Sequence, residues 1–178
     1  MKLESQIGQD KFVLEQLDNK KNGFFIDVGS GHPVKINNTV VLEKDYGWSG
    51  LSFDYGPPYA YGLKDVSMEE FLEVWHSNRD TKVITGDAKK HNFKKLFKEN
   101  NVPKIVDYLS LDLEPPILTF EVLKLIPFDE YEFRVITFEH DFYREKTTIE
   151  PSRELLKSYG YELIKNVKNQ EDWYIKKI

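Results

Sequence analysis

The chain has 178 residues, 40% of them hydrophobic and 31% charged, and a formal net charge of −5; these totals are typical of a globular protein with a single core, here one domain over residues 1–178. The acidic balance, with no basic stretch interleaved with aromatics, argues against nucleic acid as a partner, and the lack of cysteine excludes disulfides, thiol chemistry and zinc–thiolate sites. No apolar run is long enough to cross a bilayer and the chain begins with a polar stretch, so we expect no membrane partner and a cytoplasmic protein.

Hydrophobic periodicity and turn signals predict alternating helices and strands in the first half of the chain. In order, they are a helix over 9–18, a strand over 24–28, a helix over 38–47, a strand over 50–54, a loop over 55–65, a helix over 67–78 and a strand over 82–87. Asn38 is the predicted cap of the second helix and Gly47 its end. Ser67, with Glu70 three residues on, is a capping box for the third helix.

The second half of the chain continues the alternation and then changes to a hairpin. Helices are predicted over 93–100, 119–126 and 151–160, and strands over 104–112, 133–141, 161–167 and 172–178. The last two strands flank a short turn and read as an antiparallel hairpin. Seven strands with helices between the first six predict an α/β fold, with a mostly parallel sheet covered by helices on both faces.

Acidic residues follow five successive predicted strands. Ligands of open parallel sheets bind outside the carboxyl ends of the strands, so the residues at those ends are the candidates for a ligand site. They are Asp27, Asp54, Asp87, the pair Asp112 and Glu114, and the run Glu139, His140 and Asp141. Any one of these could be a helix cap or lie in a solvated turn. As a set they favour a ligand site, because a carboxylate buried at a sheet edge is costly without a partner.

The stretch "FFIDVGSGHP" (Phe24–Pro33) places Gly29 and Gly31 directly after the first strand. The third glycine of the dinucleotide fingerprint is missing, and so is the Gly-Lys-Ser/Thr of a P-loop, so phosphate binding is poorly supported. Acidic strand ends suit a cationic ligand with hydroxyl groups. S-adenosylmethionine fits this description through its sulfonium, ammonium, ribose diol and adenine amine.

Six motifs occur in order along the chain: "SQIGQD", "FFIDVG", "NNTVVLEKDYGWSG", "LSLDLE", "TFEHD" and "SYGYELI" followed by "EDWYI". With them, nearly the whole chain resembles the FkbM-type methyltransferases, within the class I S-adenosylmethionine-dependent fold. The order and spacing of the motifs are more specific than any one of them. The resemblance therefore implies a Rossmann-like methyltransferase domain.

The resemblance also implies cofactor-binding residues at the first two strand ends. Asp27, Gly29 and Gly31 would form the turn around the methionine part of the cofactor, where glycine lets the backbone come close. Asp54 would accept hydrogen bonds from the ribose hydroxyls, at a position where many relatives have Glu.

Further cofactor contacts are implied at the third strand end and in the N-terminal segment. Asp87, with Ala88 beside it, would address the adenine. Ser5, Gln6 and Asp10 would close the cofactor pocket. The alternative for that segment is a capping serine followed by a surface helix.

Asp112, Glu139 and His140 form a second group, for which three interpretations stay open. The group is similar to the site of metal-dependent sugar and macrolide O-methyltransferases, where Mg or Mn could hold sugar hydroxyls and lower the pKa of one. In the second interpretation His140 is a metal-free general base. In the third, His140 only hydrogen-bonds Glu114 or Asp112 and orders the loop.

The function implied is O-methylation of a hydroxyl, on a sugar or glycan acceptor. Loop residues on the same side could line the acceptor pocket, namely Tyr55, Tyr59, Tyr61, Tyr143 and Arg144. The sequence "EPP" after the fourth strand departs from the family, where Gly is common, and a stiffer loop there could change the acceptor. Because the chain is short, acceptor recognition would need short loops, a partner domain or a second subunit. The alternatives are a polyketide hydroxyl as acceptor, a non-catalytic binding module or, disfavoured by the missing glycine, a nicotinamide-dependent reductase.

Overall fold

The computed structural model describes residues 4–57 and 66–177, in two compact units, Met1–Ala88 and Lys89–Ile178. The first unit contains α1 (Gln9–Gln16), β1 (Phe24–Val28), α2 (Val40–Tyr46), β2 (Ser49–Asp54), α3 (Met68–Asn78) and β3 (Lys82–Thr85), followed by a short 3-10 helix (Ala88–Lys90). β2 pairs in parallel with both β1 and β3. The order and type of these elements are as predicted from the sequence.

Two of the three predicted helix boundaries in the first unit are confirmed. The Ser67 hydroxyl accepts from the Glu70 amide and the Glu70 carboxylate accepts from the Ser67 amide, which is the predicted capping box. Gly47 ends α2 in the left-handed conformation. The prediction for Asn38 was wrong, because Asn37 Oδ1 accepts from the amides of Thr39 and Val40 at 2.9 and 2.8 Å. Asn37 lies two and three residues before those amides, a distance that its short side chain spans.

The second unit contains the remaining strands and the predicted hairpin. Its elements are α4 (Phe93–Glu99), β4 (Ile105–Leu111), α5 (Ile117–Leu123), β5 (Glu132–Glu139), α6 (Ile149–Ser158), β6 (Tyr161–Val167) and β7 (Glu171–Lys176). β4 and β5 are parallel, whereas β7 runs antiparallel to both β5 and β6. The terminal hairpin thus makes β7 the one strand of reversed direction in this unit.

Within residues 4–57 and 66–177, seven strands form a sheet in the order β3-β2-β1-β4-β5-β7-β6, which confirms the predicted mostly parallel α/β fold. Most of the largest fully buried side chains are aromatic, among them Phe25, Phe53 and Trp75 in the first unit and Tyr108 and Phe133 in the second. The high aromatic content is therefore used for core packing. A single domain over the whole chain stays a prediction. Within the described ranges, every helix is too short or too polar to span a bilayer.

Candidate functional site

The turn after β1 is shaped by two glycines with positive φ. Gly29 has φ 86° and Gly31 has φ 62°, in the left-handed region that glycine adopts at low cost. The amides of Gly29 and Ser30 both donate to the Phe53 carbonyl in β2, at 2.9 and 3.2 Å. Among the described residues, nothing lies within 4 Å of the position that a Cβ on Gly31 would take. The turn therefore leaves open space beside its backbone.

Asp54 ends β2, and its carboxylate is tied to this turn. Its Oδ2 accepts from the Gly31 amide at 2.8 Å and its Oδ1 from the Gly56 amide at 2.7 Å. The residue is only 9% exposed. Burial raises the pKa of Asp54 to about 6, although the two amide bonds act in the opposite direction. A ligand hydroxyl that donates to this carboxylate would favour its ionised form.

The other two predicted strand-end acids of the first unit lie in different surroundings. Asp27, the penultimate residue of β1, is buried, and its Oδ2 accepts from the Thr39 hydroxyl at 2.8 Å. Asp87 is half-buried after β3, where the Gly86 amide donates to the Asp54 carbonyl at 2.9 Å. Ala88 is buried beside it. Asp27, Asp54 and Asp87 thus lie at or next to the carboxyl ends of three neighbouring parallel strands.

The N-terminal segment is held by a fully buried carboxylate. Asp10 accepts from the amides of Glu4 and Ser5 at 3.0 and 3.3 Å and from the Ser5 hydroxyl at 2.5 Å. The Glu4 carbonyl in turn accepts from the Asn37 amide at 3.2 Å, in the loop after β1. Gln6 is exposed. The structure thus gives Asp10 a structural partner set, and a cofactor role for Ser5, Gln6 and Asp10 stays a prediction.

In the second unit, Glu139 at the end of β5 forms a carboxyl pair with Asp112. Burial first, then the charge of Asp112 and a hydrogen bond with it, raise the pKa of Glu139 far above its usual range. The charges of Asp141 and Glu171 act in the same direction. These two predicted residues therefore do converge, and the charge of each disfavours ionisation of the other.

Glu139 also belongs to a cluster of three carboxylates at the end of β5. Glu114, Glu139 and Asp141 each offer a carboxylate oxygen, and the three oxygens lie within 4.8 Å of one another. Arg144 Nη1 contacts this group, 2.5 Å from Glu114 Oε1 and 3.3 Å from Asp141 Oδ2. The Tyr143 hydroxyl also donates to Asp141 Oδ2, at 3.0 Å. The group thus has a protein cation beside it.

The third predicted residue, His140, has its ring elsewhere. The ring is fully buried, with Nε2 3.5 Å from Asp172 Oδ1 and 3.3 Å from Asn166 Nδ2. Nδ1 has no hydrogen-bond partner within the described part of the chain. The partner of His140 is therefore Asp172, not Glu114 or Asp112 as the third interpretation expected. Asp172 lies on β7, which pairs with β5, so the ring is held at that neighbouring strand whereas Glu139 meets Asp112.

Asp172 is the centre of a buried network that the sequence did not reveal. Its carboxylate accepts from Arg153 Nε and Nη2 at 2.6 and 3.1 Å, from Asn166 at 2.7 Å and from the Tyr174 hydroxyl at 3.2 Å. Burial alone would raise the pKa of Asp172, but hydrogen bonds from His140, Arg153 and Asn166 outweigh it and lower the pKa. Asp172 is therefore an anion that holds the His140 ring in place.

Of the predicted acceptor-lining residues, Tyr55 and Tyr143 are exposed, with 56% and 60% of their surface accessible. Tyr59 and Tyr61 lie outside the described residues.

Arg79 is a further buried residue that the sequence did not reveal, and it donates to Glu43, Asn37 and Thr39. Glu43, Asn37 and Thr39 all belong to the motif "NNTVVLE", which singled them out in the sequence. The motif does not show that Arg79 is their common partner.

No protein-family model matches the chain, and neither does any curated protein sequence. Solved methyltransferases do share its fold. The O-methyltransferase NovP superposes with a TM-score of 0.63 over 96% of this chain and 78% of its own, at 12% identity. Precorrin-6y C5,15-methyltransferase from Geobacter metallireducens gives 0.58 over 94% and 87%, at 13% identity. A putative rRNA-methylase from Clostridium thermocellum gives 0.54 over 100% of both chains, at 14% identity. The chain therefore has the Rossmann-like fold of class I methyltransferases.

Proposed function

We propose that the protein is an S-adenosylmethionine-dependent O-methyltransferase that acts on a hydroxyl of a sugar or glycan. The observation that supports it best is the buried Asp54 carboxylate, bonded to the Gly31 turn in a fold shared with methyltransferases. This cofactor needs two features at the first two strand ends: a glycine turn and a hydrogen-bond acceptor for its ribose hydroxyls.

The residues of the first unit fit the cofactor in three respects. Gly29 and Gly31 present backbone without side chains, and the space beside Gly31 is open among the described residues. Asp54 would accept from the ribose hydroxyls, and Asp87 is accessible enough to accept from the adenine amine. When bound, S-adenosylmethionine supplies a sulfonium methyl group to the attacking hydroxyl oxygen. Transfer of that methyl group would break its C–S bond and form a C–O bond, so the chain would have to provide a base for the hydroxyl proton.

His140 is our preferred base for that proton. A carboxylate that accepts from one imidazole nitrogen fixes the tautomer and leaves the other nitrogen as a proton acceptor, the arrangement used in hydrolase triads. Asp172 stands at Nε2, and Nδ1 has no partner within the described residues. The ring is buried, so the acceptor hydroxyl would have to reach it through local opening of the loop that follows β5.

A divalent cation is the alternative means of activating the hydroxyl. Glu114, Glu139 and Asp141 provide the oxygen ligands that Mg or Mn prefers, whereas His140 is directed to Asp172. When bound there, such an ion would hold the acceptor hydroxyl and lower its pKa. It would compete with Arg144, which already contacts Glu114 and Asp141.

A sugar acceptor is proposed because the acidic strand ends and the exposed tyrosines offer hydroxyl acceptors and aromatic faces. Of the predicted acceptor-lining tyrosines that the structure describes, Tyr55 and Tyr143 are exposed and offer rings that could stack on a sugar. A polyketide hydroxyl remains the second acceptor class. A methyltransferase-fold module that binds without turnover is the non-catalytic alternative.

The test is transfer of a radiolabelled methyl group from S-adenosylmethionine to a panel of sugar glycosides and polyketide alcohols, with Mg, with Mn and with EDTA. We expect an alkali-stable methyl ether on a sugar, and loss of transfer in Asp54→Asn but not in Asp80→Asn, whose carboxylate is 95% exposed. Activity that survives EDTA and is lost in His140→Asn supports the base. Labelled polyketide alcohols alone would refute the sugar, and cofactor binding without any transfer would favour the non-catalytic module.

A further inference from the structure

A buried guanidinium lies at the end of α3 in the first unit. Arg79 is 2% exposed, and all three of its nitrogens donate hydrogen bonds. Nε donates to Glu43 Oε2 at 2.9 Å, and Nη2 donates to the Thr39 hydroxyl at 3.0 Å. Nη1 donates to the Pro33 carbonyl and to Asn37 Oδ1, both at 3.0 Å. A buried charge is tolerated only with such complete pairing.

Glu43 fixes Arg79 from the side of α2. Burial would raise the pKa of Glu43, but the charge of Arg79 and hydrogen bonds from Thr81, Asp80 and Arg79 together lower it, so Glu43 is an anionic partner for the guanidinium. The Asp80 amide donates to Glu43 Oε1 at 2.9 Å, and the Thr81 hydroxyl donates to Oε2. The guanidinium is therefore held in one orientation by residues that lie outside the glycine turn.

The opposite side of Arg79 holds the loop that follows the glycine turn. Asn37, which accepts from Arg79, donates from Nδ2 to the carbonyls of Ser30 and His32 at 2.9 and 3.1 Å. Arg79 also binds the Pro33 carbonyl directly. Residues 30–37 contain neither helix nor strand, so these bonds to backbone carbonyls set the course of the loop.

Thr39 extends the network to the predicted cofactor residue Asp27. Its hydroxyl accepts from Arg79 and lies 2.8 Å from Asp27 Oδ2 and 3.1 Å from Asn37 Oδ1. A hydroxyl has one proton, and the shorter of the two contacts indicates that Thr39 donates it to Asp27 Oδ2. Thr39 thus orients the Asp27 carboxylate through a donor that is itself fixed by a buried cation.

We infer that Arg79 and Thr39 are positioning residues for cofactor binding, which fix Asp27 and the loop over 30–37 in their binding geometry. The inference rests on the proposed function. It assigns a role to the motif "NNTVVLE", because Asn37, Thr39 and Glu43 of this motif all bond to Arg79. Cofactor affinity should therefore depend on the Thr39 hydroxyl, although Thr39 itself need not touch the ligand.

The experiment compares S-adenosylhomocysteine binding, by calorimetry, in the full chain and in three single variants. Thr39→Val removes the hydroxyl at constant shape, and Thr39→Ser keeps it. Thr137→Val is the matched control, because it removes a buried hydroxyl in the second unit, where Thr137 lies 2.7 Å from the Tyr108 hydroxyl and outside the Arg79 network. We expect about tenfold or greater weakening in Thr39→Val. Thr39→Ser should bind within about threefold of the native chain, and so should Thr137→Val.

Thermal unfolding of each variant separates positioning from stability. If Thr39→Val and Thr137→Val lose affinity in proportion to their loss of melting temperature, the role is only structural and the inference is wrong. Unchanged affinity in Thr39→Val would also overturn it, with the proposed function intact. If the native chain unfolds cooperatively but does not bind S-adenosylhomocysteine, the proposed function is wrong, and the inference that rests on it is wrong as well.

Discussion

Desolvation of the Asp54 carboxylate predicts how the free energy of unfolding of the chain changes with pH. Its pKa lies at about 6 in the folded chain against an ordinary 3.8, because burial penalises the charged form. The folded state therefore holds the Asp54 proton more tightly than the unfolded state does. This contribution to stability is fully present below pH 3.8 and is lost as the pH rises through 6.

The size of the effect follows from the two pKa values. At about 1.4 kcal/mol for each pH unit, the whole change is about 3 kcal/mol, and about 2 kcal/mol of it falls between pH 4.5 and pH 7. Asp54→Asn removes the titration and keeps the shape. Its amide group opposes one of the two backbone N–H donors, from Gly31 or Gly56, but this cost does not vary with pH.

The assay is urea unfolding followed by tryptophan fluorescence at several pH values between 4.5 and 7. The free energy of unfolding of the native chain, minus that of Asp54→Asn, should fall by about 2 kcal/mol across this range. Asp80→Asn, which changes an exposed carboxylate in the same unit, should show no such trend. A difference that stays constant, or that rises with pH, would refute a desolvated Asp54.

Three further variants test the second unit and the glycine turn. Asp172→Asn, which breaks the bidentate bond to Arg153, should lower the free energy of unfolding by about 3 kcal/mol at pH 7. This loss should shrink in acid, because the pKa of Asp172 is lowered in the folded chain. Urea titration checks it against Glu150→Gln, an exposed control whose free energy of unfolding should change by less than about 0.5 kcal/mol. Arg144→Ala should tighten Mn binding about tenfold or more, because Glu114 and Asp141 lose the guanidinium that contacts them. Electron paramagnetic resonance measures the Mn affinity, which Lys146→Ala should leave unchanged. Equal Mn affinity in both variants would contradict competition by Arg144. Gly31→Ala should cost about 1 kcal/mol through its positive φ and also weaken S-adenosylhomocysteine binding, whereas Gly160→Ala should cost a similar amount without affecting binding.

Local signals in the sequence were sufficient for most of the fold. The capping box at Ser67, the end of α2 at Gly47 and the terminal hairpin each depend on residues close together in the chain, and the structure has all three. The cap at Asn37 was missed by one residue, because adjacent asparagines give the same composition signal and only the backbone turn decides between them.

The partners of the site residues were harder to predict, because they lie far apart in sequence. Arg79 meets Thr39 and Asn37 across about forty residues, and nothing in its own neighbourhood indicates burial. The sequence places His140 at a strand end, but its ring meets Asp172 on β7, and that pairing depends on the hairpin register. Strand-end position can be predicted from local pattern, whereas side-chain direction depends on tertiary packing.

The most direct test of cofactor binding at the first unit is calorimetric titration with S-adenosylhomocysteine of the native chain, Asp54→Ala and Asp80→Asn. We expect saturable binding at one site in the native chain and in Asp80→Asn. Asp54→Ala should bind at least about tenfold more weakly, since a hydrogen bond to a charged acceptor is lost. Absence of binding in a native chain that unfolds cooperatively, or equal binding in Asp54→Ala, would contradict a cofactor site at the Asp54 carboxylate.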